Sequence, residues 1–227
     1  MVRKRELIIG TTILMIATSA YLLGWTNLFT VKNIEIKGAP DTQFTNLVLK
    51  ISEIKEGQKM ARVEPRNIES KLTQSGIGWL ERVDISRNWI SGEVVLNLKP
   101  RKAVARAGDK FVDLQGVLFA LPIQNSSSEA IELEKLPELI GADAASRASG
   151  LELYFKLPLD FQSKISRITA KNQENFQFLI GEKLRINWGN SGDLEVKVKI
   201  YKALIALPEN KKIRWMDLSN PTKPSVK

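Results

Sequence analysis

Ser126, Ser127 and Ser128 are the residues whose type could support covalent chemistry, as candidate nucleophiles of a Ser-Lys dyad. An enzyme built on this sequence has little else to work with, because its 227 residues include no histidine and no cysteine. Their absence removes the Ser-His and Cys-His nucleophile systems, most zinc sites, thiolate ligands and disulfides, leaving carboxylates, Lys and Ser. No motif ties a lysine to the three serines, which sit in the polar run QNSSSE from Gln124 to Glu129, the composition of an exposed loop. The sequence also contains no phosphate-cradling glycine loop, no Gly-x-Ser-x-Gly elbow and no carboxylates at metal-ligand spacing. A membrane-anchored Ser-Lys hydrolase therefore ranks below the binding functions, and neither a cofactor nor a metal is expected.

Any site must be positioned from the stretch Leu7 to Trp25, LIIGTTILMIATSAYLLGW, which is 19 residues without a charge. At about 1.5 Å per residue, a helix of this length reaches roughly 28 Å, close to the hydrocarbon thickness of a bilayer. No second such run follows. Arg3, Lys4 and Arg5 against Glu6 keep the N-terminal end in the cytoplasm by the positive-inside rule and send the remainder outward. A cleaved signal peptide is one alternative, with Thr18-Ser19-Ala20 as its small-x-small site, and a buried core helix is another. The run continues through Tyr21, Leu22, Leu23 and Trp25, past the about 7–15 residues of a signal-peptide core, and this favours an uncleaved anchor.

The net charge is +9, and removing Arg3, Lys4, Arg5 and Glu6 leaves 31 cations against 24 anions. Eight of those cations lie from Lys197 onward, against Glu209 and Asp217 alone. Outside a membrane such a basic region suits anionic lipid, wall polymer or an acidic protein better than nucleic acid, which is not expected as a partner. Much of the charge also fits a merely solvated surface.

Behind the anchor, KNIEIK alternates Ile34 and Ile36 with charges, the period of a half-buried strand closed by Gly38. Thr42 can cap a helix with Phe44, Leu47, Val48 and Ile51 on one face, and Pro65 suits the first turn of a second helix carrying Ile68 and Leu72. Val83, Ile85 and Trp89 alternate, as do Val94, Leu96 and Leu98, around a hairpin turn at Ser91-Gly92. Strand, helix, helix, strand, strand makes a compact α+β unit with its helices on one face of a three-stranded sheet.

FTVKNIEIKG, a two-helix interval and RVDISRNWISGEVVLNLKPRKAVAR, all behind one anchor, resemble the POTRA domain of the FtsQ/DivIB cell-division proteins. That family continues into a Glu-Arg-x-Pro-Val-Ala-like segment. Arg101, Val104 and Ala105 match it, whereas Pro100 and Ala103 replace its Glu and Pro, and Ile90 replaces the Pro after the Trp.

Beyond Arg101 the pattern is β-rich. Phe111 to Phe119 gives two short strands around Gln115-Gly116 and is similar to the family's Val-Asp-x-x-Gly-x-x-Phe, as Leu136-Pro137-Glu138-Leu139-Ile140-Gly141 is to its Leu-Pro-x-Leu-x-Gly. Ala142 to Lys156 favours a helix. A three-stranded meander follows through Ile165, Ile168 and Ala170, then Phe176, Phe178 and Ile180, then Leu184, Ile186 and Trp188. Asp193 or Ser191 can cap a helix limited by Pro208, whose stripe Leu194, Val198, Tyr201 and Ile205 leaves Lys197, Lys199 and Lys202 outside. LEVKVKI alternates at period two as well, which leaves a strand open there. Ile213 to Leu218 is a last strand, similar to the family's Val-Asp-Leu-Arg in Asp217 and Leu218, with Ser219 in place of Arg.

The expected fold class is α+β: a transmembrane helix, a POTRA-like βααββ domain and a mainly antiparallel β domain with flanking helices. The boundaries are 1–6 for a cytoplasmic N-terminus, 7–28 for the span, 29–100 and 101–220 for the two domains, and 221–227 for a tail. The resemblance implies a non-enzymatic divisome scaffold in the plasma membrane at the division septum, linking early septal-ring proteins to septal peptidoglycan synthesis. It further implies that the last strand pairs with bitopic coiled-coil partners of the FtsB/FtsL type through Trp215, Asp217, Leu218, Ser219 and Asn220, with Arg214 and Lys202 meeting acidic partner residues. Packing of Trp215 and Leu218 into the core is the alternative for those two side chains. An exported POTRA-type module of another envelope-assembly or polypeptide-transport system is the alternative function.

Overall fold

The computed structural model describes residues 2–25, 29–122 and 132–227. It comprises two compact units, Met1–Pro100 and Arg101–Lys227. Both mix helix and sheet, so the chain is α+β.

The first unit begins with α1 (Val2–Trp25). Its described side chains from Lys4 to Tyr21 are all exposed, although Leu7 to Ile9 and Ile13 to Ile16 are large and apolar. The hydroxyls of Thr11 and Thr12 donate to the carbonyls of Leu7 and Ile8 at 2.7 and 2.8 Å, so neither needs a solvent partner. No helix among the described residues is long and apolar enough to cross a membrane.

The rest of this unit is β1 (Asn33–Lys37), α2 (Thr42–Ser52), α3 (Pro65–Gln74), β2 (Leu80–Asn88) and β3 (Glu93–Pro100). The sheet order is β1-β3-β2, with β1 parallel to β3 and β2 antiparallel to it. Asp41, rather than Thr42, caps α2. Its carboxylate accepts from the Phe44 N–H at 2.9 Å, and Thr42 is already the first helical residue. Val48, Ile68 and Leu72 are buried with Trp79, Val94, Leu96 and Leu98, whereas Leu47 stays exposed. Gly38 has φ +80, and a methyl group there would come within 2.5 Å of the Leu98 carbonyl oxygen, so only glycine lets β1 leave the sheet here.

The second unit contains β4 (Ala105–Ala107), β5 (Lys110–Val112), β6 (Leu118–Phe119), β7 (Glu138–Gly141), α4 (Ala144–Lys156), α5 (Leu159–Gln162), β8 (Ile165–Asn172), β9 (Asn175–Ile180), β10 (Leu184–Gly189), α6 (Leu194–Ala206), β11 (Trp215–Asp217) and β12 (Ser225–Val226). These strands form one nine-stranded sheet in the order β12-β11-β10-β9-β8-β7-β4-β5-β6. The β4/β7, β7/β8 and β10/β11 pairs are parallel and the other five antiparallel, so the sheet is mixed.

Register explains the core. Leu139, Ile168, Phe178, Ile186, Met216 and Val226 are successive cross-strand partners. All but Val226 are fully buried, in one cluster with Leu151 and Leu153 of α4, Phe161 of α5, and Val198 and Tyr201 of α6. Side chains alternate across a strand, so the neighbouring row faces away from these helices. Phe161 meets Phe178, Trp188 and Tyr201 with ring centroids 6.4, 5.8 and 4.6 Å apart. Gly150 lets α4 approach the sheet, because a methyl group there would sit 3.1 Å from the Ala170 Cβ.

Two expectations need correction. The segment 221–227 is not a free tail. After Asn220, whose side-chain oxygen accepts from the Thr222 N–H at 3.0 Å and hydroxyl at 2.7 Å, the chain turns back and adds β12 to β11. Pro221 and Pro224 fall in the turn, where no ladder donor is needed. The α6 stripe keeps Leu194, Val198 and Tyr201 in the core as expected, but Lys197 is fully buried beside them and Ile205 is exposed. The period-two pattern of its first turns does not make a strand.

Candidate functional site

The expected partner-binding residues lie around β11, and the structure separates them by role. Trp215 is half-buried, with the Lys227 ammonium 5.5 Å from its ring centroid. Met216 and Leu218 are fully buried, and the Leu218 N–H donates to the Asn187 carbonyl at 2.8 Å. The Leu218 side chain is therefore core, and cannot contact a partner. Asp217 organises the turn that follows: its Oδ1 accepts from the Ser219 N–H at 2.9 Å, the Ser219 hydroxyl at 2.6 Å and the Asn187 amide at 3.1 Å. Burial pushes the Asp217 carboxyl up, but the Ser219 and Asn187 donors outweigh it and hold the group below the ordinary carboxylate value. Ser219 and Asn220 are exposed beside this turn, and Arg214 is exposed before β11.

Lys202 is not brought to this surface. It lies on α6, which covers the opposite face of the sheet, and its Nζ is 2.7 Å from Asp160 Oδ2. Ser126, Ser127 and Ser128 lie outside the described residues.

β11 is not an edge. It is parallel to β10 on one side and antiparallel to β12 on the other, and β12 is the outermost strand at this end of the sheet, as β6 is at the other. Trp215 and Lys227 exchange both backbone bonds, at 3.1 and 3.0 Å. Hydrogen-bonded and non-hydrogen-bonded pairs alternate along an antiparallel ladder, so Val226, opposite Met216, turns its N–H and C=O outward. The unpaired backbone expected on residues 214–220 is thus at Val226. No strand signal is legible in the sequence here, because β12 is only two residues long and follows directly on Pro221 and Pro224.

Two further groups escape sequence reasoning. Lys197 is buried, and its Nζ donates to the carbonyls of Trp188 and Asn190 at 3.0 and 2.9 Å and to Asn190 Oδ1 at 3.2 Å. It locks the end of β10 onto α6. Desolvation lowers its pKa from 10.5, opposed by Asp193. The unfolded chain therefore binds this proton more readily. The group's contribution to stability is lowest below its folded-state pKa and rises as pH climbs through that value towards 10.5. Lys197→Met leaves two carbonyls without their buried donor and is expected to cost about 1–3 kcal/mol at neutral pH. The gap to the native protein should widen in alkaline urea titrations, and a gap that stays constant or closes would refute the assignment.

The second group is Asp113, buried at the β5–β6 turn. It is ion-paired with Arg101, and its Oδ1 accepts from the N–H groups of Gln115 and Val117 at 3.0 and 2.8 Å. Gly116 occupies this turn with φ +76, and its carbonyl accepts from Arg147 Nε at 2.7 Å. Arg147 also donates to the Gly141 carbonyl at 3.2 Å, so the turn, β7 and α4 share one clamp. Val112, Asp113, Gly116 and Phe119 are the residues that match the Val-Asp-x-x-Gly-x-x-Phe pattern, and here they have structural work.

No curated protein matches the chain. The sequence profile of the C-terminal domain of the cell division protein FtsQ/DivIB matches residues 103–219, just over half of the 227. The match takes in the Asp113–Gly116 turn, the meander and β11, the parts on which the distal sheet is built. This chain belongs to the FtsQ/DivIB family, a non-enzymatic family of cell-division proteins.

Proposed function

We propose that the protein is a single-pass scaffold of the divisome, linking early septal-ring proteins to the machinery of septal peptidoglycan synthesis. Family membership supports a septal role exercised through other divisome proteins. The finer reading is that a strand from an FtsB/FtsL-type bitopic protein adds to the outer edge of the distal sheet. The observation that carries it is the outward backbone of Val226 on the outermost strand, the geometry that β-strand addition requires. Trp215, Arg214, Asp217, Ser219 and Asn220 flank that edge within the same chain reversal, and would give side-chain specificity. Leu218 supports the edge from the core, and Lys202 has no part in it.

Membrane attachment belongs to the same reading. Residues 7–25 carry no charge, and the described part of that run leaves its apolar side chains uncovered on all sides of α1. An uncovered apolar surface of this extent calls for lipid or a partner. The POTRA reading of residues 29–100 rests on the β1-α2-α3-β2-β3 order with helices on the three-stranded sheet.

Depletion with a fluorescent fusion tests the whole. Filamentous cells with the fusion at mid-cell are the expected result, and normal septation contradicts it. Protease added to intact spheroplasts should digest the part beyond Lys32. Protection of that part would place it in the cytoplasm and remove the scaffold role.

A further inference from the structure

The helix-free face of the distal sheet carries its charge along one line. Cross-strand partners run from Arg106 on β4 through Glu138 on β7, Arg167 on β8, Leu179 on β9 and Arg185 on β10 to Trp215 on β11. Adjacent strands lie about 4.8 Å apart, so the three arginines, on alternate strands, repeat at roughly 10 Å. The next row on this face is Ile140, Thr169, Gln177, Asn187, Asp217 and Ser225. Its single charge, Asp217, is already held by Ser219 and Asn187.

The arginine row lines an open groove of about 740 Å³, to which Lys183 and Arg214 add two more cations. Glu138 and Glu182 are its only carboxylates among the described residues, and Glu138 is taken by Arg167 Nε at 2.6 Å. Arg185, Lys183 and Arg214 are exposed and make no ion pair among the described residues. Five cations thus face two carboxylates, and the excess of like charge, centred on Lys183, Arg185 and Arg214, costs the free protein energy that an anionic partner returns.

We propose that this groove binds an acidic polypeptide segment in an extended, polyproline II-like conformation, at a surface separate from the outer backbone of β12. The sheet face offers side chains and no free backbone, so a strand cannot be added there. A polyproline II chain needs no backbone partner, and its three residues per turn at about 3.1 Å bring every third side chain to the same side at roughly 9 Å. That repeat matches the spacing of the arginines. Leu179 lies between Arg167 and Arg185, and half-buried Trp215 follows Arg185 at the end of the row, where apolar residues of the segment would rest. The two carboxylates and these apolar positions disfavour a uniform polyanion such as a phosphate polymer.

The test uses the full chain in detergent micelles, with a fluorescein-labelled peptide of Glu-Pro-Leu repeats, its Gln-Pro-Leu counterpart, and polyphosphate as competitor. The Glu peptide should bind at least about tenfold more tightly than the Gln peptide, and the difference should shrink with added salt. Arg185→Glu, and separately Lys183→Glu, should each weaken Glu-peptide binding at least about fivefold at unchanged thermal midpoint. Lys199→Glu on α6 and Val226→Pro on β12 should leave it unchanged, which keeps this surface distinct from strand addition at Val226. Equal binding of the two peptides, or indifference to both groove substitutions, would overturn the proposal. So would Arg185-dependent binding of polyphosphate without peptide capture, which would assign the groove to a phosphate polymer.

Discussion

Val226→Pro is expected to lower capture of the extracytoplasmic segment of an FtsB/FtsL-type protein at least about fivefold, while the distal unit stays folded. The reasoning follows from the ladder. Lys227 and Trp215 exchange the inward bonds, and the Val226 N–H points away from β11, so proline removes an outward donor without breaking an internal pair. An incoming strand would then bury a carbonyl with no partner, a penalty of about 1–3 kcal/mol, and about 1.4 kcal/mol is tenfold in affinity. Val226 also packs against Met216 and the core, so the substitution loses some apolar contact. Val226→Ala loses the same contact and keeps the N–H, and it should bind nearly as well as the native chain. Equal losses in the two variants, or none in the proline variant, would dismiss strand addition at this edge. Proline at Asp217 is a poorer probe, because Asp217 lies inside the sheet between Asn187 and Ser225.

Gly116→Ala should be the most damaging of these changes to stability, at about 3–5 kcal/mol. A non-glycine residue at φ +76 carries strain of about 1–3 kcal/mol. The added methyl would also overlap the Ala144 carbonyl oxygen and come within 2.8 Å of the Ala148 N, both backbone atoms at the start of α4. Neither can rotate aside as a side chain would, so α4 and the β5–β6 turn must separate, at a further cost of about 1–3 kcal/mol. Separation would also break the Arg147 bonds to Gly116 and Gly141. The thermal midpoint should fall by more than about 10 °C. Gly57→Ala is the control: its φ is +80, but nothing lies within 4 Å of the added methyl, so it carries the strain without the clash. Equal losses at the two glycines would show that backbone strain alone accounts for the effect.

Most strands and helices were legible because their stabilising contacts repeat at a fixed period. Ile168 and Ile186 alternate with polar neighbours since one face of the sheet is covered and the other is not, and Phe44 and Val48 on α2, like Ile68 and Leu72 on α3, recur at helical spacing for the same reason. Turn chemistry was legible where a short-range need is absolute, as at Gly38 and Gly116. Positions set by how elements pack on one another leave no such periodic trace. Lys197 looks like a solvated cation on α6, yet the Trp188 and Asn190 carbonyls draw it inward. Residues 225–227 look like a tail after two prolines, because their ladder partners lie 8 to 12 residues upstream, at 215–217, across the turn. For Leu218 the core alternative holds, since it is buried beneath the turn, and Lys202 is held by Asp160 behind the sheet.

Local pattern was enough to establish the α+β class, the strand-helix-helix-strand-strand order of the first unit, the three-stranded meander of the second, the uncharged N-terminal run and, through its motifs, the family. Those features depend on residues close in sequence, where periodicity, capping and glycine geometry leave a direct trace. Which strand is outermost, and that Arg106, Arg167 and Arg185 stand in one row, followed from the fold alone. The three arginines are scattered over 80 residues, and parallel and antiparallel pairing across the sheet sets their spacing.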